Sequence, residues 1–377
     1  MTTEVAGLQQ LQAQVLDIGL CTLCGACAGM CPYLKPFQGK IVVTDPCPLT
    51  LSRCYQSCPR TGVDMDLISR MLFGVPYDGK PLGEVRQVII ARSRNPEILK
   101  RAQYGGTVST LVCMALQRET VNTAVLTKLV NGSPTGVIAS SREEVLACSG
   151  SNYLVSPTLE AFNQWQPRDN ETIGVVGTPC QLLALAKMRT SSLAQQSNIS
   201  RLALTIGLFC TWGLSQSFSK MLAERLPLSK VWKTDIPPPP ANVFQVYTTE
   251  GCISIPLDQV RPLIQPACTL CLDMTAEMAD LSVGAAEGIE GWNTVLIRTK
   301  RGQELLEAAV TEGLLETGQL PETNFNHLVE SAQLKKRRAL QNLIERTGRR
   351  DQLVYLRLAP KTTHRILEGQ DVRQGGE

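Results

Sequence analysis

Cys21, Cys24, Cys27 and Cys31 stand at the spacing C-x2-C-x2-C-x3-C, with Pro32 directly after the last of them. This pattern constrains the fold more than any hydrophobic periodicity, because thiols so close in sequence close a tight loop around a common centre. In ferredoxin-like chains, three thiolates of such a run hold one cubane and the fourth reaches a second cluster. Zinc is the competing reading, but zinc sites are usually assembled from two separate short hooks of Cys or Cys and His. Against 14 cysteines there are only two histidines, so the pattern reads as iron–sulfur.

A later group, Cys47, Cys54 and Cys58 before Pro59, has the spacing C-x6-C-x3-C-P, one cysteine short of a second ferredoxin motif. Crossover pairing places Cys58 with Cys21, Cys24 and Cys27 on one cluster. Cys31 and Cys54 are then left for a second, with Cys47 as a displaced third ligand. Asp45 could supply an oxygen to that second site, and a three-iron cluster or a non-ligating Cys47 satisfies the same spacing. The alternative is that Cys31, Cys47 and Cys54 are small buried apolar residues.

The chain has 377 residues, 43% of them hydrophobic, enough for one large core or two moderate ones. Its 37 Lys and Arg against 34 Asp and Glu are too balanced to point to nucleic acid. The opening MTTEVAGLQQLQAQVLDIG reads as an amphipathic helix rather than a leader. No run reaches the roughly 18 apolar residues of a membrane span. A cytoplasmic chain is therefore expected, in which thiols serve as ligands rather than as disulfides. Oxygen-sensitive clusters would go with anaerobic metabolism.

Three parts are expected: an iron–sulfur region over 1–80, a central domain over 85–310, and a helical extension over 311–377. In the centre, VRQVIIARS, TAVLTKLV, TIGVVGTP, RLALTIGLF, VFQVYTT, CISIPL and NTVLIRT read as strands. LVCMALQRE, QLLALAKMR and SFSKMLAERL read as helices between them. The expected class is α/β (α+β) with a mixed sheet. GQELLEAAVTEG and LVESAQLKKRRALQNLIERT continue as helices, and the closing GQDVRQGGE reads as disordered. The prolines at 237–240 read as a stiff surface turn. The basic run Lys335-Lys336-Arg337-Arg338 reads as a solvated helix face, and His327 and His364 as surface or capping residues.

In GVVGTPCQLLALAKM, Thr178 suits an N-cap, Pro179 the first helical position and Cys180 the first turn, where a helix terminus favours a thiolate. Cys210 ends the strand-like IGLFC, and PACTLCLD carries Cys268 and Cys271 as a C-x2-C hook. Two strand-end thiols and one hook make four ligands, the set for one further [4Fe-4S] cluster. Cys113, Cys148 and Cys252 sit in apolar or strand-like contexts and read as structural.

With these blocks in view, the chain resembles the coenzyme F420 hydrogenase/dehydrogenase beta-subunit family. VIIARS, AQYGGTVSTLVCMAL, SREEVLACSGSNYLVSP, VVGTPCQLLALAKM, IGLFC, ACTLCLDMTAEMADLSVG and GWNTVLIRTKRG carry the resemblance, in family order over about 86–310. It implies an iron–sulfur flavoprotein with FAD and at least one cubane, exchanging hydride with coenzyme F420 and passing single electrons onward. It further implies a partner redox subunit, such as a hydrogenase, formate dehydrogenase or heterodisulfide-reductase-like protein, or a ferredoxin. Around FAD, Gly105 and Gly106 would bring backbone N–H groups close, with Thr107 opening the following helix. Ser151, Asn152 and Tyr153 would supply polar contacts, and Arg298 a phosphate partner. No G-x-G-x-x-G or P-loop is present.

Three features depart from the family pattern, and all concern the hydride donor. Tyr104 stands where an acidic residue is usual, Asn152 where lysine is usual, and the proline run where a glycine- and lysine-containing stretch is usual. Two further classes are therefore carried: a ferredoxin-fed reductase of an organic substrate, as in the chlorophyll-reducing relatives, and a non-catalytic electron-wiring subunit.

Overall fold

A computed structural model describes residues 6–130, 132–237 and 240–369. The tail after Gly369, and Pro238 and Pro239 of the proline run, lie outside the described residues.

The centre is an eight-stranded sheet. Its strands are β1 (Gln87–Ser93), β2 (Thr123–Val130), β3 (Ser133–Ala139), β4 (Ile173–Gly177), β5 (Leu202–Leu208), β6 (Leu281–Ala285), β7 (Asn293–Ile297) and β8 (Leu315–Gly318). They run in the spatial order β8-β1-β7-β6-β5-β4-β2-β3. Strands β2, β4, β5 and β6 are parallel neighbours, while β3 at one edge and β7, β1 and β8 at the other are antiparallel. The sheet is therefore mixed and the class is α/β. Strands β4 and β7 are buried along their whole length, which is why both read as continuous apolar runs.

Helices cover both faces. On one face, α1 (Thr107–Gln117) and α3 (Lys300–Thr311) pack Leu111, Met114, Leu305 and Leu306 onto Val176, Ile206 and Val295. On the other lies α2 (Pro179–Thr190), with Leu182, Leu185 and Met188 against Ile173 and Val175. Leu11, Val15 and Leu20 of the amino-terminal segment join this second core. So do Ala339, Leu340 and Leu343 of the long helix α4 (Glu322–Thr347). The cysteine-bearing amino terminus and the carboxyl-terminal helix thus share one core with the sheet.

A separate antiparallel sheet of Val231–Asp235, Val243–Thr248 and Gly251–Pro256 packs around Phe218 and Phe244. Among the described residues, no helix is long and apolar enough to cross a membrane.

Candidate redox centre

Strands β4 and β5 are parallel neighbours, and each delivers a cysteine just past its carboxyl end, Cys180 and Cys210. Beyond β4, Thr178 caps α2, and its backbone N–H donates to Gln181 Oε1 at 2.8 Å in a capping box. Pro179 occupies the first turn, and the Thr178 hydroxyl lies 3.4 Å from Cys180 Sγ. The hook Cys268–Cys271, in a tight turn over Pro266–Leu270, folds back over the same end of the sheet. There Gly213 N–H donates to Cys268 Sγ at 3.4 Å, and Cys210 N–H to the Met274 carbonyl at 2.8 Å. Cys210 and Cys268 both have Cys180 and Cys271 as thiol neighbours. The crevice beyond the carboxyl ends of parallel strands is where open α/β sheets bind ligands.

The amino-terminal loop docks beside this group. Asn163 Nδ2 donates to the carbonyls of Ala28, Ala26 and Gly25 at 2.6, 3.1 and 3.3 Å, and Leu159 N–H donates to the Cys24 carbonyl. Cys21, Cys24, Cys27 and Cys58 line one cavity whose remaining wall is largely apolar, from Leu11, Val15, Leu16, Ile41 and Pro59. The two groups are joined: Gln265, whose carbonyl accepts from Cys268 N–H, donates through Nε2 to the Cys21 carbonyl at 2.7 Å, and Cys180 acts electrostatically on Cys21 and Cys24. Cys31 and Cys47 are the thiol neighbours of Cys54, whose sulfur lies 3.0 Å from the buried Ser52 hydroxyl. Asp45 is exposed. Cys113 and Cys148 pack on the α1 side of the sheet, and Cys252 is exposed on the small sheet.

Burial dominates the electrostatics of these thiols. It pushes Cys58 up to about 12 against the opposing pull of Lys187, and Cys268 up to about 11. Burial and then neighbouring thiols hold Cys24 and Cys27 well above the ordinary thiol range. Burial raises Cys113 and Cys148 in the same direction, so the shifts mark buried thiols that stay neutral unless a metal takes the charge. Among the described residues, no three His, Cys, Asp or Glu side chains converge on a point suited to a single ion. A cubane carries its thiolates on separate irons and spaces them wider than one ion does, so a quartet around one cavity, with Cys180 and Cys271 on another, fits clusters better than zinc.

Three buried cations stand among the thiols. Lys187 Nζ donates to the Cys58 carbonyl at 2.9 Å and also to the carbonyl and hydroxyl of Thr61. Lys335 Nζ donates to the carbonyls of Cys210 and Asp273, each at 2.6 Å. Arg60 is 3% exposed. Beyond these three, Lys336 is fully buried and binds Glu277 Oε1 at 2.6 Å. The Lys335-Lys336-Arg337-Arg338 run is therefore not a solvated face: its first two lysines point inward to hold carbonyls and a carboxylate. Sequence reasoning had no signal for this beyond the apolar Ala332, Ala339 and Leu340 that put those lysines on the inner stripe of the helix.

The residues expected around FAD gather at the same carboxyl edge, with one exception. Gly105 packs so closely on β1 and β7 that a Cβ there would come within 2.8 Å of the Ala91 carbonyl and of Asn293 Oδ1. Gly106 has φ +69° and starts α1. Thr107 is fully buried, its N–H donating to Asn293 Oδ1 and its hydroxyl to the Ala91 carbonyl, so it has neither donor free for a cofactor. Ser151 and Asn152 are exposed, the latter closing a turn onto Leu154. The Tyr153 ring meets Phe244 edge-on at 5.4 Å, and Tyr104 O–H donates to Asp235 Oδ1 at 3.4 Å. Burial, then Asp235, pushes Tyr104 up to about 12.

The exception is Arg298, which closes β7 at the opposite end of the sheet from Asn293. All five of its N–H donors have protein partners, from Ser282, Leu82, Glu84 and Thr275, and it is 3% exposed. It is a structural post with nothing left for a phosphate. In its place the structure offers Gln103, whose side-chain oxygen and nitrogen are both buried without a partner among the described residues, just before Tyr104. An unpartnered amide beside the amino end of α1 fits a polar, anionic ligand.

Comparison with known proteins gives consistent matches. Residues 88–163 match the family model for the coenzyme F420 hydrogenase/dehydrogenase beta subunit N-terminus, and residues 170–323 that for its C-terminus. The coenzyme F420 hydrogenase subunit beta of Methanococcus voltae is 32% identical over 265 residues, covering 68% of this chain and 93% of that protein. The coenzyme F420-dependent sulfite reductase of Methanocaldococcus jannaschii is 25% identical over 341 residues, covering 86% of this chain and 50% of that longer protein. Among solved structures, a chain of the F420-reducing [NiFe] hydrogenase complex from Methanosarcina barkeri superposes with a TM-score of 0.66 at 30% identity, covering 71% of this chain and 94% of that one.

Proposed function

The chain belongs to the coenzyme F420 hydrogenase/dehydrogenase beta-subunit family, a family of oxidoreductase subunits, and on that basis we propose that it is an iron–sulfur flavoprotein serving as the electron-transfer subunit of an F420-linked redox complex. When bound, FAD would exchange hydride with reduced coenzyme F420 or a similar carrier, and [4Fe-4S] clusters would carry the electrons singly to or from a partner redox protein.

The observation that carries this reading is the joining of two cysteine quartets through Cys180, which neighbours Cys271 in its own group and Cys21 and Cys24 in the other. Cys180, Cys210, Cys268 and Cys271 would hold one cluster at the carboxyl edge of the sheet. Cys21, Cys24, Cys27 and Cys58 would hold the next, in a wall that excludes water. Cys31, Cys47 and Cys54 would form the outermost group, with Cys31 and Cys47 partly open to solvent and so to a partner. Gln103, Gly105, Gly106, Ser151, Asn152 and Tyr153 would line the flavin side, with Tyr104 and Asp235 at its mouth.

The neutral Tyr104 and Asn152 support a second reading, a ferredoxin-fed reductase of an organic substrate, because neither offers a charge to an anionic carrier. Anaerobic reconstitution with iron, sulfide and flavin analysis, followed by stopped-flow mixing with reduced F420, NADH and NADPH, separates the readings. Flavin bleaching by reduced F420 alone, with about 8–12 irons per chain, is the expected result. A loaded chain that none of the three bleaches defeats the F420-linked reading.

A further inference from the structure

One side chain reaches both cysteine quartets. Arg60 lies two residues after Cys58, and its Nη2 and Nη1 donate to the carbonyls of Ala267 and Leu270 at 3.0 and 3.3 Å, just before Cys268 and Cys271. Its guanidinium lies 4.3 Å from the centre of the Tyr355 ring, and Tyr355 O–H donates to the same Leu270 carbonyl at 2.7 Å. The guanidinium acts electrostatically on Cys21 and Cys58 of one quartet and on Cys180 of the other. Its remaining donor, Nε, is buried without a partner among the described residues, and the side chain lines a cavity with Cys180 and Cys271. The two buried lysines differ from it, since Lys187 reaches only the Cys58 side and Lys335 only the Cys210 side.

We propose that Arg60 is a positioning residue that couples the two clusters: it clamps the Cys268–Cys271 hook against the Cys58 corner and sets one buried positive charge between them. The proposal rests on the reading that both quartets hold clusters. Reduction adds an electron to a cluster, and a fixed cation in a low-dielectric wall stabilises the reduced form and raises the potential. A single guanidinium facing both quartets raises both potentials together. A merely structural arginine would leave them where they are.

The test is a redox titration of the iron-loaded full chain, followed by EPR. Lys187→Gln and Lys335→Gln assign the signals, each displacing mainly one cluster. Arg60→Gln is expected to retain its iron and to move both potentials to more negative values. Unchanged potentials, or displacement of one cluster alone, overturn the proposal. If Arg60→Gln does not load, Arg60→Lys keeps the charge but cannot hold both carbonyls; both signals are expected to move together by less, and movement of one alone overturns the proposal. A wild-type chain without iron at these cysteines overturns the proposal together with the reading beneath it, and iron analysis reveals that before any titration.

Discussion

Lys335 and Cys210 meet across the molecule: the lysine Nζ, midway along α4, donates to the Cys210 carbonyl at 2.6 Å and to the Asp273 carbonyl at the same distance. Helix α4 thereby fastens two segments that carry or flank cysteines of one quartet. Hydrogen bonds to charged donors contribute roughly 1.5–3 kcal/mol each, and both carbonyls would lose their partner in Lys335→Met. We expect that variant to lose about 2–4 kcal/mol in urea unfolding. A loss below about 0.5 kcal/mol would show that the contacts are incidental.

Iron content should follow the quartets. Cys24→Ala and Cys268→Ala each remove one ligand from a different group, so each is expected to lose about four irons per chain after reconstitution. Cys252→Ala, on the exposed edge of the small sheet, should lose none. Equal iron in all three variants would contradict the ligand grouping.

The amino-terminal loop depends on Gly25, which has φ +85° and whose Cβ would run into the Pro157 carbonyl. Gly25→Ala combines a left-handed strain of about 1–2 kcal/mol with a clash against backbone that cannot turn away. Gly19, with φ +72° and open space around it, carries the strain alone. Gly25→Ala is expected to lower the unfolding midpoint well beyond Gly19→Ala and to impair iron loading at Cys21, Cys24, Cys27 and Cys58. Equal effects at the two positions would show that the docking of this loop is loose.

Much of this arrangement is legible in the sequence because local chemistry specifies it. The capped turn Thr178-Pro179-Cys180 and the strands around Val175, Ile206 and Val295 declare themselves by cap residues and apolar runs. Strand β3, SPTGVIA, escapes a sequence reading because its burial is patchy and its apolar residues do not alternate. Strand β6, LSVGA, follows the hook within residues 268–285 and shows in the sequence only as part of a family block. Arg298 misleads because a strand-end arginine gives no sign of which edge of a mixed sheet it occupies; its antiparallel strand carries it away from Gly105. Lys335, Lys336 and Arg60 are illegible as interior groups, since only tertiary packing turns a basic residue inward.

Glu277 and Lys336 provide the pH test. Their side chains are 2% and 0% exposed and meet at 2.6 Å, while Glu277 Oε2 has no partner among the described residues. Burial outweighs the pull of Lys336 and holds the Glu277 carboxyl up, at about 7 against an ordinary 4.5. A raised carboxyl binds its proton more tightly in the folded chain than in the unfolded one. Its contribution to stability is therefore complete below about 4.5 and is lost as pH rises through about 7. Unfolding midpoints measured from about pH 4.5 to about pH 8 should decline across that window for the wild-type chain. Glu277→Gln, a mimic of the protonated carboxyl whose amide oxygen can still accept from Lys336, should stay close to the wild-type stability at about pH 4.5 and show a flatter slope across the window. A variant slope parallel to the wild type would place the titration on another group.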